Sequence, residues 1–190
     1  MLDANGGCEA AVSTRIKCGW KKFRELVPFL ISKATPLWMK GQVFDACVRS
    51  CMLYGSETWA MKVEDLRRLI TSERRMVRWM LGVALKDRIS SRDLLQRLRL
   101  DDIADIARRG RLRWFGHVVR RADDEWVKRV TTLELDGPTP RGRPRKTWKE
   151  TVLTDCRSLG LREEDARNRE EWRSSIRRNR PTQNDLENGR

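Results

Sequence analysis

The chain has 190 residues, with 41 Lys and Arg against 27 Asp and Glu, a formal charge of +14 and an isoelectric point near 10.3. Its apolar residues are spread along the whole length, enough for one sizeable core or two small ones, and the charge points to a polyanionic partner, nucleic acid ahead of a membrane surface. No apolar run approaches the roughly 18 residues of a spanning helix, and MLDANGG lacks the basic and apolar regions of a signal peptide; an intracellular protein, nuclear or cytoplasmic, is expected.

Residues 8 to 31 place Val12, Ile16, Phe23, Val27 and Leu30 at steps of three and four, with Lys17, Lys21 and Arg24 opposite, which predicts an amphipathic helix with a basic back. After Pro36, residues 37 to 54 put Val43, Cys47, Cys51 and Tyr54 on one face, but the other faces are apolar too, so this segment is expected to be central. Residues 63 to 81 form the clearest helix. Leu66, Leu69, Ile70, Val77, Met80 and Leu81 make its stripe and Arg67, Arg68, Arg74, Arg75 and Arg78 project from the other side. Glu73 falls within the stripe, where it is either buried against an arginine or a helix end, or solvated beside a narrower stripe.

A short helix is expected from Ser91 to Leu98, and Asp101 with Asp102 supplies the acidic first turn of the next one. In that helix Ile103, Ile106, Ala107 and Gly110 lie along one side, whereas Leu112, Phe115 and Val119 point roughly 150° away on a continuous wheel. Either the helix breaks at Gly110 or it is gripped on different sides along its length; the break is the favoured reading. Residues 133 to 146, LELDGPTPRGRPRK, read as a loop or linker that orders on binding. Thr147 or Trp148 opens a helix carrying Trp148, Val152, Cys156 and Leu159 that Gly160 closes, and residues 163 to 178 give a last charged helix with Ala166, Trp172 and Ile176 inward. The tail from Asn179 is expected to be disordered. No stretch alternates as a strand does, so the predicted class is all-α.

Enzymatic chemistry finds little to use. His117, the only histidine, shares a polar face with Arg113, Arg120 and Arg121; their field disfavours its protonation and no nearby carboxylate orients it, so a packing, capping or phosphate-touching role is expected. Asp101 with Asp102 and Asp123 with Asp124 read as a helix start and a turn, without the flanking strands of a two-metal polymerase site. The five cysteines contain no CxxC pair, and Cys47 with Cys51, one turn apart, are expected to be buried free thiols. Neither a metal, a cofactor nor a small-molecule substrate is expected.

The basic features carry more. Arg67, Arg74, Arg75 and Arg78 on one helix and Arg113, His117, Arg120 and Arg121 on another are candidates to touch a sugar-phosphate strand, as are Arg141, Arg143, Arg145 and Lys146 in the linker. Trp114, at the edge of the second face, has two readings, core packing or stacking on a base or ribose. PRGRP, residues 140 to 144, matches the core of an AT-hook, whose arginines lie in the narrow minor groove of A·T-rich DNA, although sequence-neutral phosphate contact accounts for the string as well.

LYGSETW (53 to 59), RWFGHVVR (113 to 120), GRPRKTW (142 to 148) and DARNREEWR (165 to 173) resemble, in order and spacing, the carboxy-terminal part of reverse transcriptases of LINE-type non-LTR retrotransposons; GGCEAAVSTRIKCGWKKF (6 to 23) is similar to the segment after their polymerase palm. The resemblance runs to about residue 178. It implies a thumb-like helical region over 1–84 that grips a template-primer duplex, a basic helical region over 85–132, the linker 133–146, a helical pair over 147–178 and the tail 179–190. The family's endonuclease and its aromatic-x-Asp-Asp palm motif have no counterpart here, which implies a truncated, non-catalytic fragment that binds RNA·DNA hybrid, duplex DNA or element RNA. Two other readings stay open: an AT-hook-like chromatin protein using PRGRP, and a degenerate open reading frame without selected function.

Overall fold

The computed structural model describes residues 8–132 and 146–178. Among them all regular structure is helical, in agreement with the periodicities. The chain divides between Ala107 and Arg108 into two compact units, each with its own apolar core. The stretch 85–107, assigned from sequence to a basic central region, belongs to the first unit.

In the first unit α1 (Glu9–Leu30) buries Val12, Phe23 and Leu30. A Cβ on its Gly19 would overlap the Met52 side chain, so the glycine is what lets the α3 segment approach. α2 (Leu37–Val43) starts after Pro36, continues without a break into a π-helical turn (Phe44–Arg49), and ends as α3 (Ser50–Leu53). The wider turn corrects the expected face. The buried residues are Phe44, Val48 and Met52, four apart, a spacing that a π turn keeps in line better than 3.6 residues per turn does. Cys47 and Cys51 are half-buried rather than buried, and Tyr54 is exposed beneath the Arg15 guanidinium, 4.5 Å from its ring centre. Gly55 then takes φ of +76°, turning the chain so that Ser56 and Trp59 of LYGSETW are buried.

α4 (Val63–Leu81) ends on Gly82 in the left-handed conformation, and α5 (Ser91–Arg97) begins with the Ser90 hydroxyl accepting from the Asp93 N–H at 3.1 Å. α2 lies close to the end of α5, because a Cβ on Gly41 would overlap the Leu98 carbonyl oxygen. At the start of α6 (Ile103–Val119), Asp102 Oδ1 accepts from the Ala104 N–H at 2.7 Å, the predicted helix start.

The expected break at Gly110 is absent. α6 is one helix, and its two apolar stripes belong to two cores, Ile103 to the first and Leu112 with Phe115 to the second. The change of stripe reflects a change in what the helix packs against, with the backbone unaltered.

In the second unit α7 (Trp126–Thr132) is a short helix that the sequence reading did not anticipate. It offers no apolar stripe to read, as Trp126 and Val130 are both exposed. α8 (Trp148–Ser158) opens with a capping box in which Thr147 Oγ1 and the Glu150 carboxylate exchange backbone N–H groups, and Gly160 ends it at φ of +64°. The expected last helix is in two parts, a 3₁₀ turn (Glu164–Arg167) and α9 (Arg169–Arg178), divided by Asn168, whose side chain accepts from Glu170 and Glu171. Ala166, Trp172 and Ile176 are buried as predicted. The loop 133–145 and the tail 179–190 lie outside the described residues.

Candidate nucleic-acid interface

On α4 the buried side carries Leu69, Met76, Val77 and Met80, which fixes the rotation of the helix and turns the arginines outward. Arg67, Arg74 and Arg75 are exposed and Arg78 is half-exposed, and among the described residues none of the four side chains forms a hydrogen bond or ion pair. Arg68 differs. It donates to Ser13 Oγ at 2.7 Å and lies 3.6 Å from Asp65 and 3.8 Å from Glu9, so it serves the α1–α4 packing.

Two of the three carboxylates on α4 are engaged elsewhere, and the third, Glu64, is exposed in its first turn. Glu73 is buried and accepts from Arg49 Nε at 2.6 Å, while Arg49, itself buried, also donates to Asp45 at 3.2 Å and to the Asp101 carbonyl. Burial raises the Glu73 carboxyl to about 7 despite the attraction of Arg49. Asp65 is buried beside Cys8, whose Sγ donates to it at 3.5 Å, and burial with the Asp65 charge pushes that thiol upward. Sequence reasoning missed Arg49. Its only signal is a charged residue in a mostly apolar run, with Asp45 four residues before it.

The second face is on α6. Arg113 is exposed and its side chain forms no hydrogen bond or ion pair among the described residues. Trp114 is half-buried and packs in neither core. Its ring is stacked on His117, 5.3 Å between centres and 28° between planes. His117 Nε2 accepts from the Arg121 guanidinium, with Nε at 3.2 Å and Nη2 at 3.0 Å, and Arg121 also reaches Glu125 at 3.2 Å. The histidine therefore packs and orients an arginine. Indole, imidazole and guanidinium form one array along the helix surface, on residues 114, 117 and 121, three and four apart.

Arg120 departs from the other cations of this face, because its Nη1 donates to the Ala166 carbonyl at 2.6 Å and loss of solvent there lowers its pKa. Arg111, which the sequence reading passed over, is buried and paired with Asp155 through Nε at 2.9 Å and Nη2 at 2.8 Å. These two arginines, with Trp172, seat α6 against the carboxy-terminal helices. Trp172 Nε1 donates to the Leu112 carbonyl at 2.9 Å and lies over Gly116, where any Cβ would overlap the indole. RWFGHVVR and DARNREEWR are thus two halves of one packed junction.

Arg141, Arg143 and Arg145, and with them PRGRP, lie outside the described residues; Lys146 is exposed just before α8. Asp123 pairs with Lys128 and is held below the usual carboxylate range by it. Asp101 and Asp102 stand at the start of α6, and Asp123 and Asp124 in the turn before α7, the positions expected of structural carboxylates. Among the described residues no cluster of His, Cys, Asp and Glu has the arrangement of a metal site, and no helix is long and apolar enough to cross a membrane.

No protein-family model matches the chain, and no solved structure does. It is 24% identical over 194 residues to a transposon-derived protein of Caenorhabditis elegans, F52C9.6, an alignment that spans 94% of this chain and 68% of that protein. What the chain resembles over nearly its whole length is therefore transposon-derived.

Proposed function

We propose that this chain is a non-catalytic nucleic-acid-binding region of a LINE-type retrotransposon reverse transcriptase, holding the sugar-phosphate backbone of a template-primer, target DNA or element RNA. The observation that carries the reading is the row Arg67, Arg74, Arg75 and Arg78. It is solvent-facing and without ion pairs, on a helix whose Asp65 and Glu73 are buried and engaged. Arginine is the cation best shaped for phosphate oxygens, and an unneutralised row of them repels itself until a polyanion arrives. From Arg67 to Arg78 the helix rises about 16 Å, the length of roughly four or five phosphates of one strand.

The array on α6 adds a different contact. A half-open indole backed by His117 offers a flat surface to an unpaired base, beside the cations Arg113 and Arg121. The similarity to a transposon-derived protein and the four ordered motifs supply the family of the reading.

Mobility shift of an RNA·DNA hybrid, duplex DNA and single-stranded RNA, from low to moderate salt, tests it. Binding is expected to fall steeply with salt, and Trp114→Ala is expected to weaken the single strand several-fold more than the duplex. A flat salt response would overturn the proposal.

A further inference from the structure

Lys40 is 4% exposed, yet among the described residues its side-chain ammonium forms no hydrogen bond or ion pair. Among the described residues no side-chain nitrogen is fully buried without a partner, so the little surface Lys40 keeps is open to solvent, and a sparsely hydrated ammonium there favours an anion. Its surroundings in the first unit explain where an anion would sit. Lys40 lines a cavity of about 710 Å³ together with the exposed Lys33 and Arg97, and the lining includes no carboxylate. Apart from Thr35 the remaining side chains of the wall are apolar, and it is partly open to solvent: Ile31 is 44%, Leu37 42% and Trp79 48% exposed.

Cations beside helix ends often serve to neutralise the last carbonyls. Here part of that role is already filled, because the carbonyls of Arg78 and Trp79 accept from the N–H groups of Val83 and Gly82 at 3.0 and 3.2 Å, and that of Val27 from Ile31 at 3.0 Å. Among the described residues none of the three cationic side chains has a hydrogen-bond or ion-pair partner, which leaves them for something that enters. The indole of Trp79 is held on one side by Phe23 and Trp20, with ring centres at 5.4 and 6.4 Å, while half of it remains open.

We propose that this cavity binds a nucleotide, with Lys40, Lys33 and Arg97 taking the phosphate and Trp79 the flat face of the base. Its size is that of a small-molecule site, and the pairing of cations with an indole selects an anion attached to a ring. The choice of a nucleotide over other aromatic anions rests on the nucleic-acid reading above.

Calorimetric titration of the intact chain with AMP, adenosine and inorganic phosphate decides it. AMP is expected to bind at least ten-fold more tightly than either part, and Lys40→Met, close in volume, to weaken AMP at least ten-fold with helicity and melting retained. If Lys40→Met fails to fold, Arg97→Gln and Trp79→Leu carry the test, each weakening AMP. Equal affinity for AMP and phosphate, equal affinity for AMP and adenosine, AMP binding unchanged by the variants, or no AMP binding overturns the pocket. Oligonucleotide shifts on the same preparation separate the two proposals: strong shifts without AMP binding sink the pocket alone, whereas absent shifts sink the arginine interface.

Discussion

Glu73 binds its proton more tightly in the folded chain than a free carboxyl does, since burial raises it from 4.5 to about 7 and the Arg49 guanidinium only partly offsets that cost. The folded state therefore takes up protons that the unfolded state releases. The contribution of Glu73 to stability is full below pH 4.5 and is lost as pH rises through about 7. Urea denaturation at pH 5 and pH 7.5 should show this decline, and Glu73→Gln, which keeps an acceptor for Arg49 Nε but cannot titrate, should flatten it. Glu25 and Asp123, held below the usual range by Lys22 and Lys128, act in the opposite sense and only at more acid pH, and they cancel in the comparison with the variant. Glu73→Ala removes the partner of a buried guanidinium and is expected to cost about 3 to 5 kcal/mol. The helical wheel was enough to put Glu73 in the apolar stripe. It could not name Arg49, whose place depends on a π turn with no marker in composition or spacing.

At the scale of elements, α6 sets two glycines against each other. Gly110 sits inside a continuous helix, and a Cβ there meets nothing within 4 Å, so Gly110→Ala is expected to stabilise by about 0.5 to 1 kcal/mol through helix propensity alone. Gly116→Ala gains the same propensity but must displace Trp172, which loses its fit and its bond to the Leu112 carbonyl. Overpacking costs about 1 to 3 kcal/mol and the lost hydrogen bond about 1 more, so a net loss of about 1 to 3 kcal/mol is expected. Thermal melting gives the two signs, and hydrogen exchange should place the Gly116→Ala loss in α6, α8 and α9. A long helix with one stripe, such as α4, or with clear caps, such as α8, was legible in the residues. A helix shared by two cores was not, because its stripe changes with its neighbours, and neither was α7, which buries too little to pattern its sequence.

For the molecule as a whole, the charge of +14 announces a polyanion without saying where it would lie. Packing does the sorting. Arg49 and Arg111 are internal partners of carboxylates, Arg68 and Arg120 tie elements together, and the row on α4 is left over because two of the three acids of its own helix, Asp65 and Glu73, are buried and engaged. That distinction predicts how binding responds to salt. If the formal charge alone attracted nucleic acid, any four cations removed would weaken binding alike. If the row is the interface, Arg67, Arg74, Arg75 and Arg78 changed together to Gln should lower the log-log salt slope on duplex DNA by about 3 to 4, near 0.9 for each phosphate no longer neutralised. The same four-charge removal at Lys149, Arg157, Arg173 and Arg177, all exposed on α8 and α9, should leave the slope within error of the parent. Equal losses from the two variants would return the protein to a diffusely charged surface, and the assignment of an interface to α4 would fail.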